Sequence, residues 1–211
     1  EPVAVVVASD PHVAEAAVHE IVAEYEDLPA VYDEVEAMTS TAFVHEQLRP
    51  AGSFADLKHL KGVKSTNLAV AAKLRRGDVD KAFKEAAAVI EGEYYFPMTY
   101  AYAMEPYVAI ADVNDQDVTI YSSAQHPFMV RHDLKSVFNL PVSSVRLIVP
   151  FVGGGYGSKS YTKIEPLVAA CSWKAKRPVK LQLTVEEAML TTRSDDAFTW
   201  MRTAVDANGK I

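Results

Sequence analysis

Runs with the two-residue period of a half-buried strand alternate with runs of the 3.6-residue period of a helix, and each change of period marks an element. Residues 2–8 are apolar and β-branched, which predicts a strand. Asp10 then offers a helix N-cap, with Pro11 at the first helical position. Val13, Ala17 and Ile21, with Val18 and Val22, give this helix one apolar stripe as far as about Ala23. Residues 24–31 return to a strand pattern ending in Leu28-Pro29, so the opening unit is expected to be β-α-β. From 37 to 67 the periodicity weakens and Pro50, Gly52 and Gly62 interrupt it, as suits a connection between domains.

Regular patterning resumes at Gly77-Asp78, which predicts a short helix through Ala87 and then a strand over 89–96. Strands over 107–113 and 118–123, separated by the polar Asn114-Asp-Gln116, read as an antiparallel hairpin. Val130, Leu134 and Phe138 stripe a helix over 127–139, and 145–149 is the next strand. Ile164, Leu167, Val168 and Cys171 recur at helical spacing, which predicts a helix over 161–175 with Cys171 in the core. A strand over 179–183, a capping box at Thr184-Val-Glu-Glu187 and a final strand over 198–205 complete the order. Helices and strands do not strictly alternate, so the expected class is α+β, or mixed α/β. Asn208-Gly209 reads as a hairpin turn with two residues after it, the expectation being a chain cut from a longer polypeptide.

Composition narrows this picture. Hydrophobic residues make up 49% of the chain, enough for a real core, and no apolar run approaches the length of a membrane span. The net charge of −7 is uneven: residues 1–50 carry eleven acids and one base, while 51–211 carry seventeen acids and twenty bases. The bases are scattered and belong to no nucleic-acid module, so neither a nucleic acid nor a membrane is an expected partner. A single cysteine, Cys171, supplies no internal disulfide and no zinc or iron–sulfur site by itself, and points to a cytoplasmic protein.

The chemistry is concentrated in Phe151-Val-Gly-Gly-Gly-Tyr-Gly-Ser-Lys159. Three consecutive glycines let the backbone turn tightly and approach a ligand, and exposed amides before a helix accept an anion. Both the Walker A pattern and G-x-G-x-x-G, started at Gly153, fail at Ser158. A tight connection whose glycines serve packing alone is the competing reading. Gln125 reads either as a cap for the 127–139 helix or as a polar strand end. His126 and His132 lack a third ligand at useful spacing; Glu105 could serve as an acid but reads as fixing a turn, and Lys159 could orient a phosphate but reads as a solvated residue where the next helix begins.

Glu91-Gly-Glu-Tyr94, Met104-Glu-Pro106, Ser123-Ala-Gln125 with Pro127, and Gly153-Gly-Gly-Tyr-Gly157 occur in this order and spacing in molybdenum hydroxylase large subunits, and the chain resembles that xanthine dehydrogenase and aldehyde oxidase family. The resemblance covers nearly the whole chain. It implies that 1–36 is the C-terminal part of a small hammerhead-like domain, 37–76 a connecting segment, and 77–211 the first part of a molybdopterin-binding domain. It also implies that Gln125 donates its side-chain amide to an oxygen on molybdenum, an amide being a donor that does not compete as a charged ligand. Gly154, Gly155, Tyr156 and Gly157 match the turn that offers main-chain amides to the cofactor. Tyr156 stands where phenylalanine is usual. No residue ligates the metal directly.

The implied reaction is hydroxylation of an aldehyde, an N-heterocycle or a related substrate, with water as the oxygen source. Ser160 falls where xanthine-oxidising members carry a substrate-binding glutamate, which argues against a purine. The family's general-base glutamate lies far toward the carboxyl end and has no counterpart here, so the chain alone is expected to be inactive. Iron–sulfur and FAD centres are implied on partner subunits or other segments, in a homo-oligomeric parent enzyme. The alternative is a non-catalytic module that binds an anion or nucleotide at the Gly153–Lys159 loop.

Overall fold

A computed structural model describes residues 2–45, 65–68, 71–115 and 117–211. Its elements in chain order are helices α1 (Pro11–His19), α2 (Glu34–Ala37) and α3 (Val79–Glu85), then strands β1 (Ala88–Phe96), β2 (Val108–Val113) and β3 (Val118–Ser122). Helix α4 (Pro127–Phe138), strand β4 (Val145–Ile148), helix α5 (Glu165–Ala175), strand β5 (Val179–Gln182), helix α6 (Val185–Thr191) and strand β6 (Ala197–Val205) follow. The class is α+β, as expected. Two compact units contain them: Glu1–Glu26 with Tyr100–Ser194, and Asp27–Thr99 with Asp195–Ile211.

The first unit holds a four-stranded sheet in the order β4-β3-β2-β5, with β3 and β4 parallel and the other pairs antiparallel. Strict alternation in β2 and β3 puts Ala109, Ala111 and Val113 beside Val118 and Ile120 on one buried face. Helix α5 packs on β2 and β3, and α4 on β4 and α5, so Val130, Leu134, Val168 and Ala169 close the same core. The hairpin turn is made as its polar residues predict. Asn114 Oδ1 accepts from the Asp117 amide at 2.8 Å, while Gln116 lies outside the described residues.

Caps fall where the sequence places them. Asp10 Oδ1 accepts from His12 N at 2.8 Å, Asp78 Oδ1 from Lys81 N at 3.0 Å, and Thr184 and Glu187 make both bonds of the capping box. Asn139 ends α4 in the left-handed region, φ 51°.

In the second unit β1 and β6 form a two-stranded antiparallel ribbon, in register from Ala88↔Val205 to Phe96↔Ala197. Arg202 joins it to α3, pairing with Glu91 at 2.6 Å and lying over the Phe83 ring. The expected turn after β6 forms, with Asp206 Oδ1 accepting from Asn208 N and Lys210 N.

Three boundaries differ from the sequence expectation. Residues 2–8 and 24–31 form no strand ladder among the described residues, because strand propensity belongs to a segment whereas a ladder needs a partner edge. Helix α1 closes at His19 rather than about Ala23; none of its residues is buried, so no packing holds a further turn. Helix α5 begins at Glu165, not Tyr161, because Pro166 is tolerated in the first turn but would break a helix that started a turn earlier. Of the punctuating residues in the connection, Pro50, Gly52 and Gly62 lie outside the described residues. No described helix is long and apolar enough to cross a membrane.

Leu134 is fully buried and Phe128 on the same helix is 81% exposed. Leu134→Ala is expected to lower the unfolding free energy by about 3 kcal/mol, and Phe128→Ala to change it by less than about 0.5 kcal/mol. Denaturant unfolding of the two variants checks the placement of α4, and equal losses would contradict it.

Candidate functional site: a glycine loop pinned by Gln125

Because β3 and β4 are parallel neighbours, their carboxyl ends open on the same edge of the sheet. The chain leaves β3 through Ser123-Ala-Gln125 and leaves β4 toward the glycine loop, so two motifs distant in sequence meet there. Gln125 N donates to the Lys159 carbonyl at 2.8 Å. Its side-chain Oε1 accepts from Gly157 N at 3.1 Å and Lys159 N at 3.2 Å, with Ser160 Oγ at 3.4 Å. These donors fix the amide's orientation: the oxygen faces the loop, and Nε2, which has no acceptor among the described residues, is left to donate elsewhere. Gln125 therefore does not cap α4. His126 holds the cap position, without a side-chain cap bond.

Sterics select glycine at two points. A Cβ at Gly155 would stand 2.2 Å from Gln125 Cδ, and one at Gly153 would stand 2.0 Å from Glu105 Oε2. Gly153, Gly154, Tyr156 and Gly157 all have positive φ, between 52° and 94°. Tyr156, as a non-glycine residue, carries about 1 kcal/mol of strain there. Its side chain is 77% exposed, so the hydroxyl needs no buried partner.

The remaining bonds tie the loop down at its sides. Tyr107 Oη donates to the Ser158 carbonyl at 2.6 Å, Ser158 Oγ donates to the Gly155 carbonyl at 2.7 Å, and Glu105 N donates to the Gly153 carbonyl at 3.4 Å. Beyond the loop, Thr162 Oγ1 donates to Asp133 Oδ2 at 2.6 Å, and the buried Glu165 accepts from Ser122 Oγ at 2.6 Å and Lys163 N at 2.9 Å. The amides of Gly154, Gly155 and Tyr156 are left with no acceptor among the described residues. Consecutive unpaired amides on a strongly curved backbone form a concavity suited to an anion.

Lys159 overturns its sequence reading. It is 2% exposed rather than solvated, and its Nζ donates to the Val152 carbonyl at 2.5 Å. Burial pushes this amine below the usual lysine range, opposed by the carboxylate of Glu105. Tyr107 and Glu165 were likewise not legible as site supports, since their partners lie 51 and 43 residues away. Among the described residues no group of three or more His, Cys, Asp or Glu side chains could hold a metal ion. His126 is exposed, and His132 lies beside Asp133 at 3.7 Å.

Residues 61–211 match the family model described as the molybdopterin cofactor-binding domain. Over 94% of its length the chain is 33% identical to a putative xanthine dehydrogenase molybdenum-binding subunit of Escherichia coli (strain K12), covering 24% of that protein. Over 64% of its length it is 36% identical to the aldehyde oxidoreductase molybdenum-binding subunit PaoC of Escherichia coli O157:H7, covering 19% of it. The chain thus spans about a quarter or less of the length of these two relatives. Quinoline 2-oxidoreductase from Pseudomonas putida 86 superposes with a TM-score of 0.74 at 25% identity, over 94% of this chain and 24% of that one. CO dehydrogenase from Oligotropha carboxidovorans shares the fold, with a TM-score of 0.73 at 22% identity over 96% of this chain and 25% of that one.

If Gln125 is what forbids a side chain at position 155, the cost of Gly155→Ala depends on Gln125. Gly155→Ala alone is expected to destabilise by about 2 kcal/mol, and less than half as much in a Gln125→Ala background. A denaturant double-mutant cycle measures this, and additive losses would separate the two residues.

Proposed function

Because the chain belongs to the molybdopterin cofactor-binding domain family, we propose that it forms one wall of the cofactor site in the large subunit of a molybdenum-dependent hydroxylase. The observation that carries this reading is the orientation of Gln125, whose oxygen is occupied by the loop amides and whose Nε2 has no acceptor among the described residues. The groups on offer fit an anionic cofactor. They are the three amides of Gly154, Gly155 and Tyr156 and the Gln125 amide, all neutral donors that bind anionic oxygen or sulfur without displacing a metal's own ligands.

When bound, the molybdenum cofactor supplies the two-electron redox chemistry by which a substrate carbon is hydroxylated, with water as the oxygen source. This chain's residues orient and hold. Gln125 would donate from Nε2 to the bound cofactor, and the amides of Gly154, Gly155 and Tyr156 would hold its anionic edge. The Gly157 amide does not take part directly, since it is spent on Gln125. A general base outside these residues would take the proton, and iron–sulfur and flavin centres on other segments or subunits would carry the electrons. Ser160 offers a hydroxyl where a purine-oxidising site would need a carboxylate, which favours an aldehyde or an N-heterocycle other than a purine as substrate.

Gln125→Glu separates the donor role from the structural one, because a carboxylate still accepts from Gly157 N and Lys159 N but has no N–H to donate. In the assembled enzyme Gln125→Ala and Gln125→Glu are both expected to lower kcat by about 10–100-fold, with the melting temperature of Gln125→Glu close to wild type. Wild-type turnover in Gln125→Glu would remove the donor role. Absence of both molybdenum and pterin from wild-type enzyme made in a molybdenum-competent host would remove the functional reading.

A further inference from the structure

Lys159 is only 2% exposed, yet among the described residues it forms no ion pair with a carboxylate. Among the described residues its one hydrogen-bond acceptor is the Val152 carbonyl. A buried ammonium with one neutral acceptor is costly, and folds generally avoid it by pairing or by substituting an apolar side chain. The surroundings make the charge useful. Val152 lies immediately before the glycines and Lys159 follows the last of them after Ser158, so the side chain closes residues 152–159 into a ring. The main chain of the same residue meets Gln125 twice, through Lys159 N to Oε1 and Gln125 N to Lys159 O. One residue thereby joins the start of the loop, its end and Gln125.

The carboxylate whose charge acts on it, Glu105, stands over Gly153 at the start of the loop. Glu105 is itself exposed and forms no ion pair with the amine among the described residues, so the charge at the start of the loop is met by the Val152 carbonyl and not by a carboxylate.

We propose that Lys159 is the positioning residue of the anion site, its ammonium clamping the glycine loop from below and adding a buried positive charge to the amides of Gly154, Gly155 and Tyr156. This rests on the functional reading above, since the anion concerned is the cofactor's. The clamp holds the loop closed whether or not the ligand is present, and the charge is complemented when an anionic edge docks on the opposite side of the backbone. A lysine that merely filled the core would do neither.

Lys159→Met and Lys159→Arg in the assembled enzyme distinguish these cases, read by molybdenum and pterin per polypeptide, by the Mo(V) electron paramagnetic resonance signal and by thermal melting. Methionine keeps the volume and removes the charge and the clamp. Lys159→Met is expected to hold about tenfold less molybdenum and pterin, with a melting temperature within about 4 °C of wild type. Lys159→Arg, which keeps the charge, is expected to recover most of the cofactor but with an altered signal. Wild-type cofactor content and an unchanged signal in Lys159→Met would overturn the proposal while leaving the functional reading intact. Failure of both variants to fold would also overturn it, by making Lys159 a structural residue. Cofactor-free wild-type enzyme would instead defeat the functional reading on which it depends.

Discussion

The site depends on one side-chain carbonyl. Gln125 Oε1 takes the Gly157 and Lys159 amides, and that acceptance decides the rest. It draws the end of the loop against the residues after β3, forces glycine at 155 by occupying the space a Cβ would need, and commits the Gln125 nitrogen to face away from the loop. An amide can do this because it carries an acceptor and two donors on one rigid plane. Neither a carboxylate nor a hydroxyl offers the same division of labour.

The sheet makes this possible by putting β3 and β4 side by side and parallel. The helix between them, α4, is the crossover that a parallel pair requires, and its buried Val130 and Leu134 set where β4 starts. Arg131 reinforces that join by donating to the carbonyls of Val145 and Val142 at 2.9 and 2.7 Å. Downstream, the Glu165 carboxylate accepts from Ser122 at the end of β3, so the strand that delivers Gln125 is tied to the helix that follows the loop. The loop is consequently shaped by contacts at both its ends while its middle amides remain open.

Much of this was legible in the sequence because it is local. Asp10, Asp78 and Thr184 cap the helices they precede, the 114–117 turn forms from its polar residues, and the buried stripe of α4 follows its periodicity. Gln125 and the glycines could be paired only through their resemblance to a family, since nothing local joins residues 32 apart. What stayed hidden is non-local or unfavourable on its face. The burial of Lys159 contradicts the ordinary behaviour of lysine, and the support from Tyr107 and Glu165 exists only once the sheet is assembled. The start of α5 was a missed local signal, because Pro166 excludes the earlier turn. The segments 2–8 and 24–31 have strand composition but pair with no strand among the described residues.

The central claim is that Gln125 and the open amides of Gly154, Gly155 and Tyr156 converge on one anionic group. A crystal structure of the assembled enzyme with its cofactor bound tests this most directly. Gln125 Oε1 is expected still on the amides of Gly157 and Lys159, with Nε2 and the open loop amides donating to the cofactor. A cofactor seated away from this loop, or Gln125 turned with its oxygen off the loop, would contradict it.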